Sequence, residues 1–294
     1  MPSITESSSA RRVPAWIADG TAISDLIYCS IAWGAGIIGV MIPISIFAYL
    51  LWNGIGVITT EFLFSPPSGG SLNGAGGIWP AIAGSFALVG YGLLPALILG
   101  VGGGIYLAEF NCSRSLEDIS RFCIESLSAV PGLVYSLFGY ALLVVALKLK
   151  TSLIAGAVTL GFVMLPQILI GTHEALRAVD PVLRETAHAM GVSHSYMFVR
   201  IIWPVAWPAI LTSIVLSAIH ALGSAAPLLF TAATVFTKEP VSLLKPVMAL
   251  PTHLYFVTSE IGAVPYAFGT ALVLAGLVLA ISTLALIFKR RHQY

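Results

Sequence analysis

The sequence predicts an all-α, polytopic membrane bundle of six spans, and three observations predict it. Apolar residues make up 57% of the 294-residue chain and charged residues 9%, against about 45–50% and about 25% in soluble domains. The apolar residues fall in runs long enough to cross a bilayer as a helix, which takes about 20 residues. The charges fall between those runs, so the pattern is one of spans and connections rather than of a core wrapped in polar surface. A net charge of +1 offers no basic field of the kind that gathers nucleic acid.

Residues 1–25 read as a polar, Ser-rich N-terminal tail and residues 26–294 as the membrane domain. Arg11 and Arg12 lie too far from any cleavage-like site to mark a removable signal peptide. The spans are expected at 26–51, 78–109, 126–147, 152–171, 205–230 and 266–288. In the second, Gly100 and Gly104 have the spacing that lets helices approach closely, and Pro95 bends the helix where neighbours can satisfy the freed carbonyl. Residues 53–77, with Pro66, Pro67 and many glycines, read as an irregular loop, as does 231–265 with Lys238 and Lys245.

With an even number of spans both termini share a side. That side would hold Arg11, Arg12, Arg114, Arg121, Arg177, Arg184, Arg200, Lys289, Arg290 and Arg291, leaving only Lys148, Lys150, Lys238 and Lys245 on the other. Lys and Arg gather on the cytoplasmic face, so both termini and the 172–203 segment are expected there, in a multi-pass cytoplasmic membrane protein.

That segment is the most informative part of the chain. Short turns suffice between spans, yet Glu174 to Pro204 is a polar, Ala-containing, amphipathic stretch with Arg177, Arg184 and Arg200 along it. Glu185 to Met190 is compatible with helix throughout, and small Ala187 and Ala189 would let a partner surface approach. Gly191 is a natural stop, because glycine takes the left-handed conformation after a helix end. Val192 to Arg200 can begin a second short helix that enters the membrane at Trp203-Pro204. Helix, turn and helix joined to the next span form a docking element on which a partner in the water can push.

Several chemistries are argued against. No lysine follows a glycine, so a phosphate-cradling Gly-Lys-Ser/Thr loop is missing and ATP is not bound by that route. His173-Glu174 has Arg177 where a zinc-protease helix needs its second histidine. The three cysteines show no paired or metal-ligand spacing, and no metal site is expected. The acidic residues fall in loops or near span ends, with Glu109 and Glu125 closest to the membrane. A secondary transporter would ordinarily place a carboxylate near the midplane to carry its coupling ion.

Glu185-Thr186-Ala187, three residues, Gly191, nine residues, Ile201, one residue and Trp203-Pro204 resemble the signature of ABC-importer permeases, with Thr186 in place of an Ala and Trp203 in place of a Leu. The resemblance implies a type I importer fold and a coupling loop, carried by Glu185, Thr186, Ala187, Ala189, Gly191, Ile201 and Pro204, that seats on a separate ATPase. Ile105 to Phe110, Val130 to Gly139 and Gly223 to Ala232 narrow the likeness to PstA-type permeases of phosphate importers, from about residue 75 to 288. Such a permease is not itself an enzyme. It pairs with a PstC-like permease and receives phosphate from a periplasmic or extracellular binding protein, and its cofactors, ATP and Mg, are held by the ATPase subunits.

Departures from the pattern fall in the fifth span. His220 stands where the family has Arg, Ser224 where it has Glu and Ala225 where it has Thr. Losing both charges together is coherent, since one alone would be stranded in the membrane. His220 is the ionisable side chain well inside a span, and four residues separate it from Ser224, which places both on one helix face. His220, Ser224, Tyr135 and Ser136 are therefore the candidates for the anion path, with Ser224 as a hydrogen-bond donor. Phosphate competes there with other oxyanions such as phosphonate, molybdate or tungstate.

Overall fold

A computed structural model describes residues 15–67, 76–110, 114–237, 242–261 and 263–291, and eleven α-helices carry these described residues. There is no strand among them, only two isolated bridges, Pro67 to Gly76 and Ala233 to Val247. The chain forms two units, Met1–Tyr49 and Leu50–Tyr294. The first is described from Ala15 as one helix, α1 (Ala15–Gly54), which starts well ahead of the expected span at 26. The span-length stretch is Ser24–Val57, which runs three residues past the end of α1 through a 3-10 turn, Ile55–Val57.

The second unit is built around α3 (Trp79–Ile105) and α6 (Leu153–Arg177), which lie against each other along most of their length. Close approach is achieved by glycine. A Cβ on Gly92 would lie 2.7 Å from the Ala157 carbonyl oxygen, and one on Gly104 would lie 2.9 Å from that of Leu169. Gly100 meets the Ile168 side chain in the same seam. These glycines pack helices. α6 is the central span, with 56% of its apolar stretch buried against 28% for α3. Its other side meets α9 (Trp203–Gly223), where Ser217 donates to the Met164 carbonyl at 3.2 Å. Leu88, Leu160, Met164, Ile168, Leu176 and Ile210 form the core between these three helices.

Among the described residues five helices are long and apolar enough to cross a membrane, and six if one bent pair counts as a span. That pair corrects the expected third span at 126–147. α4 (Arg114–Ala129) and α5 (Gly132–Gly139, continued by a π-helical turn, Tyr140–Ala146) meet at 95°. Pro131 is the cause. It sits at ψ 139, lacks the N–H an α-helix needs, and holds Val130 away from helical geometry. The stretch from 132 to 146 would rise about 22 Å as α-helix, short of the roughly 30 Å hydrocarbon layer.

Two further boundaries move. α6 runs on to Arg177, so Thr172 to Arg177 belong to the span and not to the polar segment. α9 ends at Gly223, not 230; Ser224 is extended and Ala226–Leu228 form a separate short turn. The expected loop at 53–77 contains α2 (Thr60–Phe64), capped by the Thr59 hydroxyl. Gly69, Gly70 and Gly74 of that loop, Lys238 of the next, and the expected tail as far as Pro14 lie outside the described residues. The expected loop at 231–265 contains α10 (Leu250–Phe256), whose first four residues are buried. The Ser85 hydroxyl of α3 accepts from the Leu250 N–H at 2.8 Å and fixes α10 to the bundle. The last helix is α11 (Val264–Arg291).

Candidate functional site

The polar segment folds as helix, turn and helix. α7 (Pro181–Ala189) begins where the Asp180 carboxylate accepts from the Val182 N–H at 2.9 Å, with Pro181 at its first position. Both are favoured helix starts, because a cap satisfies an orphan donor and proline has none to lose. α7 ends in a Schellman turn. The Gly191 N–H donates to the His188 carbonyl at 3.0 Å and the Val192 N–H to that of Ala187 at 3.1 Å, with Gly191 at φ +70. Only a residue at ease with positive φ closes these two bonds. A Cβ there would touch nothing, so the glycine is required by backbone angle and not by space.

α8 (His194–Met197) starts at the Ser193 cap and runs without interruption through a π-helical turn, Phe198–Ile202, into α9. The wide turn lies just ahead of Pro204, whose ring would clash with an ordinary α-helical carbonyl four residues back. His194 to Gly223 thereby form one 30-residue rod. Trp203 packs between Phe198 and Trp207, at 6.0 and 5.2 Å between ring centres.

Glu185, Thr186, Ala189, Gly191 and Pro204 are exposed and Ile201 is half-buried. Ala187 is 1% exposed and packs into the core. It therefore joins α7 to its own protein and does not clear space for a partner. The outward face also shows Val182, Leu183, Met190 and Tyr196. Sequence reasoning missed what holds α7 from behind. Arg184 makes a bidentate ion pair with Glu109, at 2.8 Å for each bond. The available signal was Glu109 itself, a carboxylate at the end of an apolar span.

At the other end of α9, His220, Ser224 and Tyr135 meet around a cavity of about 270 Å³ whose wall also includes Leu127, Ser128 and Gln167. Among the described residues neither a carboxylate nor a Lys or Arg lines it. The Tyr135 hydroxyl donates to the Leu127 carbonyl at 2.8 Å, and that of Ser224 to the His220 carbonyl at 2.9 Å. A carbonyl cannot donate, so both hydroxyl protons are committed and both oxygens remain as acceptors. This corrects the expectation of Ser224 as a donor. It also corrects the shared helix face, because Ser224 lies past the helix end and meets His220 by capping its carbonyl.

Ser136 is not brought to the cavity. It is buried and accepts the Phe230 N–H at 3.1 Å, anchoring the turn that follows α9. Gln167 was overlooked in the sequence, although an amide in an apolar span is a signal of the same kind as His220. A second, smaller cavity of about 130 Å³ lies under α4, between Arg121 and Glu125 and the pair His173 and Glu174 of α6. Among the described residues no group of three His, Cys, Asp or Glu side chains is placed to hold a metal ion.

Comparison with known proteins places this geometry. The sequence profile of the binding-protein-dependent transport system inner membrane component family matches residues 100–293. The chain is 31% identical over 236 residues to the probable ABC transporter permease protein YqgI of Bacillus subtilis, covering 76% of this chain and 79% of that one. It is 32% identical over 215 residues to the phosphate transport system permease protein PstA of Xylella fastidiosa, covering 70% and 72%. To PstA 1 of Mycobacterium tuberculosis it is 34% identical over 155 residues and spans 51% of that protein. In fold it is similar to a chain of the MetNI methionine ABC transporter, at a TM-score of 0.58 and 16% identity over 73% of this chain and 94% of that one. An amino acid ABC transporter gives 0.56 at 18% identity, over 72% and 92%. The matched region contains α7, the Gly191 turn, the rod into α9 and the cavity at its end, and the chain belongs to the binding-protein-dependent transport system inner membrane component family.

Proposed function

We propose that this chain is the PstA-type permease subunit of an ATP-driven importer that moves inorganic phosphate inward. The observation that carries the reading is the continuity from α7 through Gly191 into the rod His194–Gly223, since a body pressing on α7 moves one wall of the cavity at His220. The partner on α7 is a cytoplasmic ATPase, which meets exposed Glu185 and its apolar surround of Val182, Leu183 and Met190. ATP and Mg belong to that partner, and this chain is a non-catalytic subunit. A PstC-like permease supplies the other half of the conduit, and a soluble binding protein delivers the anion from the far side. Both termini lie in the cytoplasm with α7, a reading supported by the Lys and Arg distribution.

A second reading is favoured by one observation. His220 and Ser224 replace the charged pair of PstA-type permeases, and the described lining of the cavity holds no fixed cation. Phosphonate or molybdate fits that lining as well as phosphate. The deciding experiment purifies the assembled complex with its binding protein and records which anion stimulates ATP hydrolysis. Phosphate is the expected answer. Stimulation by phosphonate or molybdate but not phosphate moves the substrate, and uptake by this chain alone without nucleotide overturns both readings.

A further inference from the structure

α7 reaches the bundle by a covalent route, through Gly191 and α8 into α9. It also reaches it by a route through space, at the end of the second span. There α3 widens into a π-helical turn, Tyr106–Phe110, a geometry found disproportionately at working sites. The Glu109 side chain in that turn is 1% exposed, and both of its oxygens are engaged: Arg184 Nη1 donates to Oε2 and Nη2 to Oε1, each at 2.8 Å. Nη2 also donates to the Leu176 carbonyl of α6 at 2.7 Å. One guanidinium thus ties α7 to the ends of α3 and α6.

The neighbouring residue grips the other short helix. The Phe110 ring stands edge-on to His194 at 5.4 Å and to Phe198 at 6.1 Å. Residues 109 and 110 together hold α7 by charge and α8 by ring contact. A planar, two-bonded Arg–carboxylate pair fixes direction as well as distance. A buried carboxylate whose partner withdrew would be left without compensation, so α7 cannot shift without carrying the end of α3. Above this point α3 and α6 are in glycine-to-backbone contact at Gly104 and Gly92, and a pull at Glu109 reaches both helices.

We propose that Glu109 and Arg184 form a clamp that carries displacement of α7 into the second and fourth spans, in parallel with the covalent route into the fifth. They are positioning residues for transport, and the proposal rests on the reading of α7 as the ATPase-docking helix. The test uses the complete complex with its binding protein in proteoliposomes and measures anion moved per ATP hydrolysed, a ratio that the amount of folded complex does not change. Glu109→Gln and Arg184→Met should each lower it on the order of tenfold while the subunits still co-purify. The exchanged pair, Glu109→Arg with Arg184→Glu, should bring it back to within about twofold of the parent.

A parental ratio in both single variants overturns the clamp, as does an exchanged pair no better than the single variants. Loss of assembly in all three also overturns it, in favour of a folding contact. Gly191→Val separates the two ideas. If it lowers stimulated hydrolysis while the clamp variants keep the parental ratio, only the clamp fails. If it too leaves coupling intact, the docking reading fails with it.

Discussion

The two ends of α9 are built by opposite rules. At the α7–α8 end the orphan groups of two short helices are closed by Asp180, Ser193 and the Gly191 turn, and a bidentate ion pair ties α7 to two spans. At the other end a cavity is lined by one imidazole, an amide and hydroxyls, of which those of Tyr135 and Ser224 already donate to backbone carbonyls. Strong, directional bonds suit an element that must move as a body. A weakly bonded lining suits a place from which an ion has to leave.

The largest expected effect removes the frame common to both ends. Gly92→Leu would drive a side chain into the Ala157 carbonyl, only 2.7 Å from the first added carbon. Overpacking costs roughly 3 kcal/mol, and here rigid backbone is what has to yield. The variant should be almost absent from the membrane fraction. Gly90→Ala and Gly102→Ala, where an added Cβ meets nothing, should accumulate as the parent does; equal accumulation of Gly92→Leu would show that α3 and α6 do not need this approach.

Next in size is Gly191→Val. Positive φ costs a residue with a Cβ about 1–2 kcal/mol, more when it is β-branched. Substrate-stimulated ATP hydrolysis should fall several-fold while the protein still inserts. Gly191→Asn, which tolerates the left-handed region, should retain most of it. If the two variants behave alike, backbone angle is not what the glycine supplies.

At the cavity the effect should be confined to uptake. His220→Leu should slow transport without loss of assembly, and His220→Arg should be tolerated, best when Ser224→Glu accompanies it. Ser224→Ala should do less than His220→Leu, since the serine hydroxyl is engaged with its own helix end. Transport at the parental rate by His220→Leu would make the histidine a packing residue and erase the contrast between the two ends.

A second histidine bears on stability in acid and not on transport. His253 of α10, outside the span-length helices, is buried, and among the described residues its Nδ1 has no hydrogen-bond partner. Burial disfavours the imidazolium and lowers its pKa to about 4. The unfolded chain, near 6.5, then binds the proton more readily than the folded one. Folded stability from this group is complete above pH 6.5 and is lost as pH falls from 6.5 towards 4, by about 1.4 kcal/mol per pH unit. Thermal unfolding of the purified complex across that range should show a shallower pH slope for His253→Leu. An unchanged slope would mean that His253 is hydrated in the folded protein.

Much of the coupling end was legible beforehand because its determinants are local. Gly191 stands directly behind an Ala-containing helix and marks where that helix stops, and φ +70 is the result. The cavity was legible only in part. His220 and Tyr135 stand out in the sequence as polar groups in apolar runs, yet Ser136 turns to the Phe230 N–H and Ser224 leaves the helix. Hydrogen-bond partners such as Phe230 are remote in sequence, so no spacing rule finds them.

By itself the sequence determined the class, the apolar runs, the helix–turn–helix at 181–202 and its entry into α9, because span length, capping and glycine conformation act over a few residues. The tertiary structure alone decided the rest. It buried α10, turned Ala187 inward and placed Arg184 on Glu109, 75 residues away in sequence. Each of these depends on which surfaces meet when α3 and α6 close on their glycines, and that contact exists only once both helices have formed.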